Sequence, residues 1–244
     1  MLEIQDYEVM GFRMAIKGMR NPLNSWDKSD SEQCGFRCLA IDDSTEKFEC
    51  NELCGGSFLK GYTQIGPSDI KLAKSLIKAG SSDRKFLRMI HVQAEVLAPL
   101  YFWKEADQYK IGTTTNSCST MHTIHKREFT LADFSKEHIS DTPNCDPLYY
   151  GALECLIETL NEARHCYLDS KDKDYWWQII QLLPSSYNQL RTWDLDYETL
   201  LSIYFQRRHH KLNEWHTFCD WIISLPYMKE FISVLDKKEE SNEQ

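Results

Sequence analysis

The stretch Ile90-His91-Val92-Gln93-Ala94-Glu95-Val96 places apolar and polar side chains in strict alternation. Successive side chains of a β-strand point to opposite faces of the sheet, so a period of two predicts a strand with one buried face. His91, Gln93 and Glu95 are the polar members of the pattern. The stretch therefore predicts a sheet strand with one face in the core and one polar face.

Upstream of this strand the sequence predicts a helix that begins at about Asp69 and ends at Gly80. The apolar residues of this segment recur every three or four positions and so share one helical face: Ile70, Ala73, Leu76 and Ile77. Nearer the N-terminus, residues 36–41 and 47–50 flank a short polar stretch, which predicts a hairpin.

After about residue 146 the pattern is almost wholly helical, and four helices are predicted. The first opens at Pro147, the second ends near Pro184, the third spans Asp196 to Lys211, and the fourth ends before Pro226. The tryptophans of this half occur at helical spacings and are predicted to lie in the core: Trp176, Trp177, Trp193, Trp215 and Trp221.

The composition is that of one globular domain. The 244 residues are 42% apolar and 27% charged and contain no internal repeat, so we expect a single α+β domain over residues 1–235 and a disordered acidic tail over residues 236–244. The net charge of −9 disfavours duplex nucleic acid as a partner. No apolar run is long enough for a membrane span, and the nine cysteines accompany no export signal. A cytoplasmic protein with free thiols is therefore expected.

Four cysteines bracket the predicted hairpin: Cys34, Cys38, Cys50 and Cys54. Four thiolates can hold a tetrahedral zinc ion, but each pair here is separated by three residues rather than the usual two. That spacing favours ordinary thiols over a zinc site. His122 and His125 are too few and too isolated to indicate a metal site.

Two polar features are candidates for ligand binding. The segment Arg207-Arg208-His209-His210-Lys211 is the densest basic cluster, and it is interpreted either as an anion clamp or as a solvated helix end. The run from Gly112 to Thr120 is rich in small hydroxyl residues. Such a run can approach a phosphate closely, although a plain polar loop has the same composition.

The second of these features resembles the signature of the flavin-dependent thymidylate synthases, in which Arg-His-Arg precedes a Ser-x-Asn-Glu-x-Ser segment. Gln108-Tyr109-Lys110 stands in the place of Arg-His-Arg, while Thr114, Asn116 and Ser119 match the first Ser, the Asn and the second Ser. The resemblance extends over about residues 65–224. It includes a Leu-Pro turn at 183–184 and the following helix, which ends in Arg207.

The resemblance implies an α+β, thymidylate synthase-like fold, a homotetramer with sites shared between subunits, and a pyrimidine nucleotide such as dUMP as ligand. FAD is the implied cofactor, with folate and NADPH only if the family reaction is retained. The implied nucleotide-binding residues are Gln108, Ser117, Ser119, Thr120 and Arg207. The implied cofactor-binding residues are Tyr109, Lys110 and Asn116. Arg207 is also the implied catalytic residue, because a fixed guanidinium can polarise the uracil ring.

Several cationic donors of the family are replaced in this chain. Outside the Arg-His-Arg segment, Met121, Ile180 and Glu198 stand where the family has an Arg. Ser117 replaces a Glu, His122 a Tyr and Asp196 an Asn. Each lost charge-assisted hydrogen bond to a phosphate is worth about 1.5–3 kcal/mol. Two hypotheses follow. The first is a diverged thymidylate synthase-like protein that binds a pyrimidine nucleotide such as dUMP, with reductive methylation of dUMP to dTMP as its reaction if it is an enzyme. The second is a non-catalytic nucleotide-binding or sequestering protein that does not use flavin.

Overall fold

The computed structural model describes residues 1–33, 63–140 and 146–242, with only the backbone of Gln33, Thr63, Ser140 and residues 237–242. The predicted hairpin and the four cysteines that bracket it lie outside the described residues, so the zinc hypothesis stays untested.

In chain order the elements are β1 (Glu3–Met10), α1 (Phe12–Met19), β2 (Glu32–Gln33), β3 (Thr63–Gln64), α2 (Pro67–Ala79), β4 (His91–Pro99), α3 (Leu100–Ala106), β5 (Thr113–Ser117), α4 (Thr120–Thr123), α5 (Glu137–Ser140), α6 (Pro147–Ser170), α7 (Lys173–Leu182), β6 (Asn188–Asp196), α8 (Tyr197–Arg207), α9 (Asn213–Ser224) and α10 (Met228–Asn242).

The main sheet has four antiparallel strands in the order β1-β4-β6-β5. The alternation that opens the sequence is confirmed in β4, where Val92, Ala94 and Val96 are at most 1% exposed while Gln93 and Glu95 are exposed. A sheet with one buried and one solvated face is the usual antiparallel arrangement. The architecture is therefore mixed helix and strand, in agreement with the predicted α+β class.

The predicted helical half contains a strand that the sequence analysis missed. β6 occupies Asn188–Asp196 and pairs with both β4 and β5, so it lies at the centre of the sheet. The polar run from Gly112 to Thr120 was interpreted as a loop, but its first part forms the edge strand β5. An edge strand can be polar throughout because its backbone hydrogen bonds to one neighbour define it.

Most of the predicted helices are confirmed with modest changes of their ends. α2 begins at Pro67, α6 opens at Pro147, and α7 ends at Leu182, just before Pro184. The third helix of the second half, α8, is shorter than predicted. Asp196 precedes it as the N-cap, with its carboxylate accepting from the Thr199 N–H at 2.7 Å, and the helix ends at Arg207.

The tryptophan prediction is wrong for Trp177, which is 50% exposed, whereas Trp193 and Trp215 are buried as expected. α10 continues to Asn242, so residues 236–242 of the expected tail are helical. No helix among the described residues is both long enough and apolar enough to span a bilayer.

Two hydrophobic cores hold the structure together. The larger core lies between the inner face of the sheet and the helices α1, α2, α3, α8, α9 and α10. In it, Trp193 of β6 stacks on Phe218 of α9 with a centroid distance of 5.2 Å. The smaller core joins residues 124–134 to α6 and α7. The C-terminal end of α3 and the ends of β5 and α8 meet at the rim of the larger core.

Candidate ligand-binding site

Residues Gln108–Lys110 connect α3 to β5 and are anchored to the junction of β6 with α8. The Asp196 N–H donates to the Gly112 carbonyl at 3.0 Å, and the Thr199 hydroxyl donates to the Ile111 carbonyl at 3.1 Å. Gly112 has a φ of +70°, and a Cβ atom there would lie 2.3 Å from Oδ2 of Asp196. Only glycine allows this close approach. The connection therefore has a defined path beside the sheet.

A small cleft, here called the strand-side cleft, lies between this connection and the sheet. Its volume is about 160 Å³, and its lining residues are Trp103, Ala106, Asp107, Tyr109, Lys110, Thr113, Thr115 and Trp193. Thr113 and Thr115 pair with Leu195 and Trp193, so their side chains project from the inner face of the sheet. Lys110 is exposed and forms no ion pair within the described part of the chain. The cleft thus combines an ammonium group with two hydroxyl groups.

A larger cleft, here called the helix-side cleft, lies on the other side of α3. It measures about 450 Å³ and is lined by Tyr101, Lys104, Glu105, Gln108 and Leu212. That volume falls within the range of roughly 300–1,000 Å³ that is typical of small-molecule sites. Burial, followed by the hydrogen bond from its hydroxyl to Glu214, raises the pKa of Tyr101. The Tyr101 hydroxyl is thus a donor that is already committed to Glu214.

Arg207, the predicted anion clamp, is engaged by its own chain. Its Nη1 donates to Oε2 of Glu105 at 3.1 Å and its Nε donates to the Tyr109 hydroxyl at 2.9 Å. The guanidinium carbon also lies 4.8 Å from the ring centroid of Trp215, in a cation–π arrangement. The structure therefore brings Arg207 to the predicted cofactor residue Tyr109, while a carboxylate takes part of its donor capacity.

The other predicted residues are divided among three positions. Ser117 pairs with Arg191 on the inner face of the sheet, whereas Asn116 pairs with Thr192 and so projects from the opposite face. Ser119 caps the short helix α4, which begins at Thr120, and its hydroxyl accepts from the His122 N–H at 3.2 Å. Asn116 is therefore not brought together with Tyr109 and Lys110.

Arg191 is a candidate that the sequence analysis missed. Its guanidinium lies 4.4 Å from the ring centroid of Trp103 and pairs with Asp107 at 2.7 Å. Its Nε donates to Gln189, whose amide donates in turn to the Cys118 carbonyl at 2.8 Å. Arg191 thereby connects the end of α3 with the end of β5. The alternation of Gln189, Arg191, Trp193 and Leu195 was the available signal, but two polar members of the four obscured it.

A flavin dinucleotide needs cations or free N–H groups for its diphosphate. Around the two clefts, Arg191 and Arg207 are paired with Asp107 and Glu105. The N-terminus of α8 is already capped by the carboxylate of Asp196. Among the described residues at these clefts, the cations without an ion pair are Lys110 in the strand-side cleft and Lys104 in the helix-side cleft, and two ammonium groups on opposite sides of α3 do not fit a flavin diphosphate.

Comparisons with known proteins find similar structures but no match by sequence. No family model matches the sequence, and no curated protein matches it. A solved structure of the flavin-dependent thymidylate synthase ThyX from Helicobacter pylori, complexed with FAD and dUMP, has a TM-score of 0.60 at 12% identity, over 95% of this chain and 96% of that one. A second structure of the H. pylori enzyme with FAD and dUMP has a TM-score of 0.58 at 13% identity over the same shares. Because identity is so low, the likeness concerns the fold alone: this chain has a ThyX-like fold.

Proposed function

We propose that this chain is a ThyX-like protein that binds a pyrimidine nucleotide such as dUMP without flavin-dependent methylation. The observation that carries the proposal is the state of Arg207, which is bound by Glu105 and Tyr109 and packed on Trp215. The fold, which two solved complexes with FAD and dUMP share, supports the choice of ligand class.

Polarising a uracil carbonyl requires a cation whose charge is directed at the developing negative charge. The guanidinium of Arg207 is 17% exposed and lies 3.1 Å from the Glu105 carboxylate, which offsets its charge. Separating the two to admit a substrate would remove the guanidinium from a partly buried carboxylate and leave it the indole N–H of Trp215 and the nearby His210. This arrangement supports the non-catalytic hypothesis over reductive methylation of dUMP to dTMP.

Nucleotide binding is supported by the groups that remain available. Lys110 supplies an ammonium group and Thr115 a hydroxyl in a cleft whose size suits a phosphate rather than a whole nucleotide, whereas the Thr113 hydroxyl already donates to the Tyr109 carbonyl at 2.9 Å. Gln108 lines the helix-side cleft, and its amide can both donate to and accept from the edge of a pyrimidine. We propose that the nucleotide lies across the exposed segment that follows α3, with its phosphate at Lys110 and its base at Gln108. Ser117, Ser119 and Thr120 lie farther along the same edge of the sheet and are proposed as secondary contacts.

Calorimetric titration with dUMP tests the proposal. We expect micromolar binding by the wild type and a loss of about 1.5–3 kcal/mol in Lys110→Ala, which is roughly tenfold to more than a hundredfold in affinity. Lys71→Ala removes an exposed lysine of α2 and serves as the matched control. Arg207→Ala should change dUMP affinity less than Lys110→Ala does. If wild type shows no dUMP binding, the proposal is wrong, and a larger loss of affinity in Arg207→Ala than in Lys110→Ala would place the nucleotide at Arg207 instead.

A further inference from the structure

Three donors from separate segments converge on one carboxylate oxygen. Oε2 of Glu105 accepts from Nη1 of Arg207 at 3.1 Å and from the indole Nε1 of Trp215 at 3.1 Å, and it lies 3.2 Å from Nε2 of His210. Arg207 ends α8, His210 follows it, and Trp215 belongs to α9. A convergent set of N–H donors around an oxygen atom is the construction of an anion-binding site.

The donors keep their positions through contacts other than those with Glu105. Arg207 is also held by the Tyr109 hydroxyl at 2.9 Å and by the ring of Trp215. Trp215 is fully buried and packs against Phe102 with ring centroids 4.5 Å apart. Removal of the Glu105 carboxylate should therefore leave the donors preorganised.

Solvent and small ligands can reach this group. The side chains of Arg207, His210 and Glu105 are 17%, 23% and 31% exposed. Glu105 also lines the helix-side cleft, together with the exposed Lys104 and Gln108. An anion in that cleft would meet the negative charge of Glu105 before it could reach the three donors.

We propose that Arg207, His210 and Trp215 form an anion subsite that Glu105 fills from within the chain, so that Glu105 determines the charge of the group accepted in the helix-side cleft. With Glu105 ionised, the subsite is filled, and the helix-side cleft accepts a neutral group such as a pyrimidine base and rejects a phosphate. With a neutral side chain at position 105, it takes up a phosphate-like anion. The inference deepens the proposed function by naming its specificity-determining residue.

The test uses Glu105→Gln, which keeps an acceptor oxygen and removes the charge. Inorganic phosphate, titrated by calorimetry at neutral pH, should bind this variant at least tenfold more tightly than the wild type. Glu105→Gln combined with Arg207→Ala should lose that gain. Glu95→Gln makes the same change of net charge on the exposed face of β4 and should leave phosphate affinity unchanged. Glu105→Ala is measured in parallel, so that a folding defect in one variant does not decide the result.

Each outcome has a clear meaning. A gain of phosphate affinity in either folded Glu105 variant, abolished by Arg207→Ala, supports the subsite. Wild-type phosphate affinity in the folded variants overturns it, as does an equal gain in Glu95→Gln. The two proposals fail separately: dUMP binding without any gain for phosphate refutes only the subsite, while a gain for phosphate in a chain that never binds dUMP refutes only the nucleotide function.

Discussion

Asp69 lies fully buried in the first turn of α2 and joins that helix to the segment after α1. Its Oδ1 accepts from Nε of Arg20 at 2.5 Å, and its Oδ2 accepts from the hydroxyls of Ser29 and Ser31 at 2.7 and 2.5 Å. Arg20 is itself only 3% exposed and donates further to the Ser25 carbonyl at 3.2 Å. The pair is thus a buried ion pair whose remaining polar groups are satisfied, which is the arrangement in which removal of one partner costs most.

Asp69→Asn removes the charge and leaves the Arg20 guanidinium buried without a counterion. We expect the free energy of unfolding to fall by about 3–5 kcal/mol, measured by urea denaturation at pH 7. Glu95→Gln is the control, because Glu95 lies on the exposed face of β4 and has no ion pair with the described residues, so its loss should cost less than about 1 kcal/mol. A loss of less than about 1 kcal/mol in Asp69→Asn would refute the reasoning.

The contribution of the Arg20–Asp69 pair to the stability of the protein depends on pH. Burial alone would raise the pKa of Asp69, but the hydrogen bonds from Ser31, Ser29 and Arg20 outweigh it and hold the pKa below its ordinary value of 3.8. A depressed carboxyl pKa contributes stability that is fully present above the unfolded-state pKa and is lost as the pH falls through the folded-state pKa. The difference between wild type and Asp69→Asn should therefore be constant from pH 5 to 7 and shrink only below about pH 4. A difference that shrinks already between pH 7 and 5 would assign the titration to another group.

Two further predictions concern the site connection and assembly. Gly112→Ala should destabilise the protein by more than Gly80→Ala. Both positions have positive φ, but a Cβ atom at 112 meets Asp196 and Thr199, whereas one at 80 meets open space. Thermal melting of both variants measures the difference, and equal decreases in Tm would contradict the close approach. The resemblance to homotetrameric enzymes predicts that the protein forms a tetramer, or at least a dimer, and a clean 28.7 kDa monomer by light scattering at micromolar concentration would count against a shared site.

The sequence predicts those parts of the fold in which local pattern and burial agree. β4 follows its alternation, and α2 follows its helical period from Pro67 to the stop at Gly80. The strand β6 could not be predicted in this way, because its polar residues Gln189 and Arg191 point into the structure. There Gln189 donates to the Cys118 carbonyl, and Arg191 pairs with Asp107. Such partners lie 70 or more residues away and leave no local trace.

In the candidate site, too, some features follow from the local sequence and others depend on distant partners. The resemblance implied roles in one ligand site for Tyr109 and Arg207, and in the structure Nε of Arg207 donates to the Tyr109 hydroxyl; that either residue binds a ligand stays a prediction. The pairing of Arg207 with a carboxylate could not be predicted, because its partner Glu105 lies 102 residues earlier in the chain. Glu105 lies on a helix whose apolar neighbours gave no reason to single it out. Distant pairing, rather than the identity of the residue, decides whether a guanidinium is available to a ligand.

The most direct test of the central claim is a titration of one purified sample with dUMP and with FAD, followed by calorimetry and by flavin fluorescence. The account predicts micromolar binding of dUMP that weakens in Lys110→Ala, together with no stoichiometric binding of FAD, because Arg191 and Arg207 are already paired with Asp107 and Glu105. Stoichiometric, nanomolar binding of FAD would contradict the account, since it would require those pairs to open or other donors to hold the diphosphate.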